Sequence, residues 1–251
     1  MANRLLDRQA SLLEYLASAA TIFGDQVSPP LNMSLQGIDP GVLRLQARFT
    51  CNKRLEKIIA VFPRTLEILG AEQNLTLRDF VAVNPPTNKS TLANAREFHK
   101  FLSARWLCEA PNPTYLADVA ACELAMDGAL NVVDTHEFPP NKRKGDQPQP
   151  SIRRGRSVVP LRCSYDIRSI FAPGSGNVVP PKRNISLVIT LPAGLQDVSL
   201  VEVAPVVVDA LMRLDNWTDP SMLDGFGNLD DLISHLAMCG YVDVRTCWHD
   251  Q

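Results

Sequence analysis

Ile185-Ser186-Leu187-Val188-Ile189-Thr190-Leu191 is the stretch on which the fold turns. Ile185, Leu187, Ile189 and Leu191 face one way and Ser186, Val188 and Thr190 the other, the two-residue period of a β-strand. Val198 to Val203 reads as its neighbour, with Pro192-Ala193-Gly194 in the turn region. Before it, Val158 to Tyr165 starts extended. After it, Pro205 opens a helix carrying Val206, Val207, Ala210, Leu211 and Leu214. Leu229 to Met238 reads as another, ending at Gly240 before a short extended Tyr241-Val242-Asp243-Val244. Strands, then helices, then a last strand predict a small α/β module over residues 157–251, winged-helix-like or peptide-recognition-like.

Toward the N-terminus the composition changes. Residues 138–156 hold Pro139-Pro140-Asn141-Lys142-Arg143-Lys144-Gly145, Gln147-Pro148-Gln149-Pro150 and then Arg153, Arg154 and Arg156. Proline, glycine and charge with few apolar residues predict an exposed basic linker between two domains. The charge is placed unevenly around it. Residues 141–183 carry 10 basic and 2 acidic side chains, whereas residues 184–251 carry 2 basic and 10 acidic. The bland reading is a solvated linker that offsets an acidic module; the functional one is an arm for an anionic partner.

Residues 1–137 read as helices throughout. Leu5, Leu6, Leu12, Leu13, Leu16 and Ala20 form one stripe that ends near Gly24. Asp39-Pro40 is a helix start, a capping oxygen followed by a proline whose missing N–H costs nothing in the first turn. Val42, Leu45, Phe49, Ile58, Ile59 and Phe62 keep the helical period up to Pro63, which bends or ends the helix. A short turn from Thr65 closes on Gly70, and another short helix runs from Thr76 through Phe80 and Val83 to Pro85-Pro86. Ser90 or Thr91 caps a longer helix with Phe98, Phe101, Leu102 and Trp106, and Thr114 caps one through Leu116, Val119, Ala120 and Leu124. The fold class expected is therefore α+β, an all-helical domain followed by the α/β module.

At 251 residues, 45% hydrophobic and 21% charged, the chain has the material for packed cores, which excludes a disordered or fibrous class. No apolar run reaches the ~18 residues of a membrane span. Met1 to Arg8 lacks the apolar core of a secretory signal, so the six cysteines are expected to be free thiols in the cytoplasm. Those cysteines are not paired at zinc or redox spacing, and His99, His136, His235 and His249 are scattered singly, so no metal site is expected. Asp118, Glu123 and Asp127 lack the Glu-x-x-His partners of a bundle metal site and read as caps or ion pairs. Pro173-Gly174-Ser175-Gly176-Asn177 has no phosphate-loop lysine, and Asp224-Gly225-Phe226-Gly227 reads as a turn before the final helix. No catalytic residues are assigned.

Within the helical part, Val61-Phe62-Pro63, Leu69-Gly70, Phe80, Pro85-Pro86, Phe98-His99-Lys100-Phe101-Leu102 and Tyr115-Leu116-Ala117-Asp118-Val119-Ala120-Ala121-Cys122-Glu123-Leu124-Ala125 follow one another. In this order they resemble the HvfC-type (HvfC/MbnC-like) family of companion subunits, with the Tyr-Leu-Ala-Asp stretch the most specific part. Members serve methanobactin biosynthesis and peptide-tethered thiaglutamate biosynthesis. The resemblance covers residues 1–135; the chain departs from it at Cys51, near a position where the family carries an aromatic, and in the basic linker.

The resemblance implies a non-catalytic subunit with no activity alone and no cofactor of its own. It would form a heterodimer with a barrel-fold multinuclear iron enzyme and hold a ribosomal precursor or scaffold peptide whose cysteine that enzyme oxidises. Two chemistries stay open, excision of the cysteine β-carbon or formation of an oxazolone with a thioamide. A strand edge can pair with an extended peptide, and the edge expected here is Ser186, Leu187, Val188 and Ile189. Arg153, Arg154 and Arg156 are the expected linker contacts to peptide or enzyme. The alternative is a DNA-binding regulator using the basic linker and a winged-helix-like module. Nucleic acid is disfavoured because only Arg213 and Arg245 accompany ten carboxylates in residues 184–251.

Overall fold

The computed structural model describes residues 2–24, 35, 37–85, 90–131, 151–174, 178–192 and 197–245. The basic run Lys142 to Lys144, the turn at 175–177, most of the turn at 192–194, Cys247 and His249 lie outside the described residues. The fold is α+β. Two compact units divide the chain, Met1–Ala120 and Ala121–Gln251.

The first unit comprises α1 (Ala2–Ala17), α2 (Ala19–Phe23), α3 (Pro40–Val61), α4 (Pro63–Leu69), a 3₁₀ turn at Gly70–Glu72, α5 (Gln73–Val83) and α6 (Thr91–Cys108); α7 (Leu116–Leu130) begins in it. The stripe from Leu5 to Ala20 is two helices, because Ser18 is extended between α1 and α2. Gly24 ends α2 with φ 74°, a left-handed conformation that favours glycine. Asp39 caps α3, its carboxylate accepting from the Gly41 N–H at 2.7 Å, and Pro40 takes the first helical position. Phe62 alone is non-helical before Pro63 starts α4. Ser90 caps α6 by accepting from the Ala93 N–H at 3.2 Å.

Aromatic rings fill the centre of this unit. Phe62, Phe80 and Phe98 are fully buried, with the Phe98 ring centroid 5.3 Å from that of Phe62 and 5.2 Å from that of Phe80, both edge-on. Beside them lies Arg54, 5% exposed, over the Phe80 ring at 4.6 Å. Its Nε donates to Asn94 Oδ1 at 2.9 Å, one Nη to the Asn84 carbonyl and the other to Glu97 at 3.3 Å. Burial lowers the Arg54 pKa, and Glu97 opposes that shift. Burial raises the nearby Cys51 thiol, against the pull of Arg54.

In the second unit come β1 (Ser151–Arg154), β2 (Val158–Cys163), α8 (Arg168–Phe171), β3 (Ile185–Thr190), β4 (Ser199–Glu202), α9 (Pro205–Met212), a 3₁₀ turn at Pro220–Leu223, α10 (Leu229–Met238) and β5 (Val242–Arg245). They make two antiparallel sheets, β1-β5 and β2-β3-β4. Val188, Val207, Ala210, Leu211, Leu236 and Val242 belong to one core cluster, which places α9 and α10 against strands of both sheets.

The expected linker is corrected at its C-terminal end. Residues 138–150 lie outside the described residues, whereas Ser151–Arg154 is a strand. Ile152 drives this: it is fully buried and exchanges two backbone hydrogen bonds with Thr218, at 2.9 and 3.0 Å. One apolar residue between polar ones left too short a pattern to register in the sequence.

Candidate functional site

The strand Ser186, Leu187, Val188 and Ile189 is central, not an edge. It pairs with β2 through Leu161↔Leu187 and Val159↔Ile189, and with β4 through Val188↔Val201. Ile185 to Ile189 are all buried, so both faces as well as both edges are covered. A run with no proline, charge or glycine belongs in the middle of a sheet, where both neighbours must match it. No peptide can add at these four residues.

The backbone alternation locates the edges that remain. Val203 N–H donates to the Ser186 carbonyl at 3.0 Å, so residues 199, 201 and 203 turn toward β3. Leu200 and Glu202 therefore turn their N–H and C=O outward. Among the described residues no strand lies beyond β4. On the other side of the sheet, Val158 N–H donates to the Gly155 carbonyl at 3.0 Å and so points away from β3. Two residues on, Pro160 faces the same way and has no N–H to offer. Among the described residues the β2 edge is blunted and the β4 edge is open.

Four alternating charges brace the end of β4. Arg183 donates to Glu202 at 2.7 Å and to Asp166 at 2.6 Å. Arg168 donates to both Asp166 oxygens, at 2.8 and 2.7 Å, and lies 2.8 Å from Glu202. Hydrogen bonding from Arg168 is the main reason the Asp166 carboxyl is held well below the usual range. The Arg183 hydrogen bond likewise lowers Glu202. Because both pKa values fall on folding, the stabilisation is present above the unfolded carboxylate pKa of about 4 and is lost as pH drops through the folded values. The C-terminal unit is therefore expected to lose urea resistance below about pH 4. Asp166→Asn should lower the midpoint at neutral pH and flatten that acid limb, which urea titrations at neutral and acidic pH would read.

The expected linker arginines are engaged inside the unit. Arg153 is 8% exposed, its Nη2 2.8 Å from Asp243 and its guanidinium 4.6 Å from the Trp217 ring. Arg154 pairs with Asp215 at 2.7 Å and its backbone N–H donates to the Leu214 carbonyl at 2.8 Å. Arg156 is half-buried in the turn between β1 and β2. The three do not gather into one outward patch with β3.

Elsewhere, Asp79, Ala82, Val83, Phe101, Ala104 and Arg105 line an open groove of about 410 Å³ between α5 and α6. Cys51, Cys108, Cys122, Cys163 and Cys239 form no disulfide among the described residues. Among the described residues no three His, Cys, Asp or Glu side chains gather as metal ligands, and no helix is long and apolar enough to cross a membrane.

The open edge had a signal in the sequence that composition alone obscured. Pro160 marks β2 as an outer strand, and Ser199 and Glu202 mark the short β4 as another, which leaves β3 between them. Neither the known protein-family models nor the curated proteins provide a match to this chain.

Proposed function

We propose that this chain is a non-catalytic subunit that holds an extended precursor peptide along the outer edge of β4 and presents its cysteine to an associated iron-dependent oxygenase. The observation that carries peptide capture is the pair of outward-turned backbones at Leu200 and Glu202, with no strand beyond them among the described residues. Backbone bonds to such an edge give affinity, and alternate side chains give selectivity. The oxygenase and the heterodimer rest on the residue series from Val61 to Ala125 and its resemblance to companion subunits. Duplex DNA is favoured by no observation, since Arg153 and Arg154 are spent on Asp243 and Asp215.

Two proline substitutions test the edge. Leu200→Pro removes an outward N–H and leaves the bonds to β3 in place, so the fold should survive while peptide affinity falls about tenfold or more. Val201→Pro removes a bond to β3 and should destabilise the unit itself by about 1–3 kcal/mol. Peptide binding by calorimetry, with amide exchange of β3 as the fold control, reads both. Equal affinity in the Leu200→Pro chain would place the peptide elsewhere. Co-purification with an iron enzyme encoded beside this chain tests the oxygenase; a chain recovered without that enzyme would remove that half of the reading.

A further inference from the structure

Two guanidiniums converge on one indole in the second unit. Arg153 lies 4.6 Å and Arg245 4.1 Å from the Trp217 ring centroid. Arg153 is committed to Asp243, its register partner across β1 and β5. Arg245 is different: it is exposed, and among the described residues it meets the Trp217 ring and no carboxylate or carbonyl. Its neighbours in the unit show what an arginine does here when an acid is within reach, Arg162 binding Asp209, Arg154 binding Asp215, and Arg168 and Arg183 sharing Asp166 and Glu202. Beneath Arg245, the Trp217 Nε1–H is buried with no acceptor among the described residues.

The backbone beside this cluster is also open. Ile152 exchanges its hydrogen bonds with Thr218, so Ile152 and Arg154 turn away from β5 while Ser151 and Arg153 turn toward it. By register, Asp243 and Arg245 face β1, and Val242 and Val244 turn their N–H and C=O outward. No strand lies beyond β5 among the described residues. Ser151, Arg153, Asp243 and Arg245 place their side chains on one face of the pair.

We propose that Arg245, held over the Trp217 ring, anchors a second peptide site that takes one carboxylate of an extended peptide laid along β5. The charge count selects the ligand. Arg153, Asp243 and Arg245 together carry one net positive charge, which one carboxylate neutralises, whereas a polyanion would meet the ten acidic residues of 184–251. A guanidinium edge matches a carboxylate with two parallel N–H···O bonds. An exposed pair alone binds weakly, so the outward backbone of Val244, 44% exposed, supplies the remainder. The site is separate from the β4 edge and does not depend on it.

The test follows the indole N–H resonances of the full chain by two-dimensional NMR, with Trp217→Phe assigning the one that matters. The probes are Ac-Ala-Glu-Ala-NH2, Ac-Ala-Ala-Ala-OH, the neutral Ac-Ala-Ala-Ala-NH2 and inorganic phosphate. At least one acidic peptide is expected to move the Trp217 resonance saturably at ~1–10 mM, and the responding one identifies a side-chain or a terminal carboxylate. The neutral peptide is expected to leave it still. Arg245→Gln should weaken binding about tenfold or more, and Arg245→Lys, which keeps the charge but loses the fork, should retain part of it. Leu200→Pro should leave this binding unchanged, which separates its fate from that of the β4 reading. A Trp217 resonance unmoved by both acids, moved equally by the neutral peptide, moved by phosphate alone, or moved as readily in the Arg245→Gln chain would overturn the assignment.

Discussion

Phe98→Ala is expected to destabilise the N-terminal unit by about 4 kcal/mol, a large share of the ~5–15 kcal/mol that holds a domain folded. Phe98 is fully buried and its ring meets three others, Phe62 at 5.3 Å, Phe80 at 5.2 Å and Phe101 at 6.3 Å. Truncation removes the transfer energy of the ring, leaves a cavity among rigid neighbours and breaks edge-on contacts worth about 1 kcal/mol each. Phe98→Leu keeps most of the volume and should cost about half as much. Urea unfolding followed by circular dichroism checks the pair. A midpoint unchanged in Phe98→Ala would mean that the four rings do not form a single packed cluster.

Arg54→Ala is the second large effect, at about 3 kcal/mol. The residue withdraws from three acceptors at once, Asn94, the Asn84 carbonyl and Glu97, in a setting where only 5% of Arg54 is exposed. Glu97 is 30% exposed, which limits the penalty to the lower end of the range for a broken buried ion pair. Arg54→Lys should recover little, because a single ammonium cannot reach three acceptors in a plane and still lie over the Phe80 ring at 4.6 Å. Hydrogen exchange of α3, α5 and α6 would show the loss as faster opening of all three. Opening confined to α3 would contradict a shared node.

Much of the first unit was legible because its signals are local or periodic. Asp39-Pro40, Pro63, Gly70 and Ser90 act within a few residues of themselves, and each bounds the helix the sequence predicts. The phenylalanines at 62, 80, 98 and 101 that carry the family resemblance meet in the core, so what they record is packing. Arg54 escaped notice because a charge on a helix reads as solvent-facing until three distant acceptors are brought round it. In the second unit, β3, β4, α9 and α10 were legible from alternation and from Pro205 and Gly240. The edge was not. Which backbone groups lack a partner depends on strand order, and a period of two is the same for an inner strand and an outer one. Arg153 misled for a related reason: its charge resembles that of the linker, yet Asp243 and Trp217 accommodate it within a sheet.

Pro160 sets how many guests the three-stranded sheet can take. With one flank blunted by a ring that cannot donate, the opposite flank is the favoured one for an added strand. Such a surface favours ending a ribbon over extending it. One added strand per chain is the stoichiometry expected at that sheet.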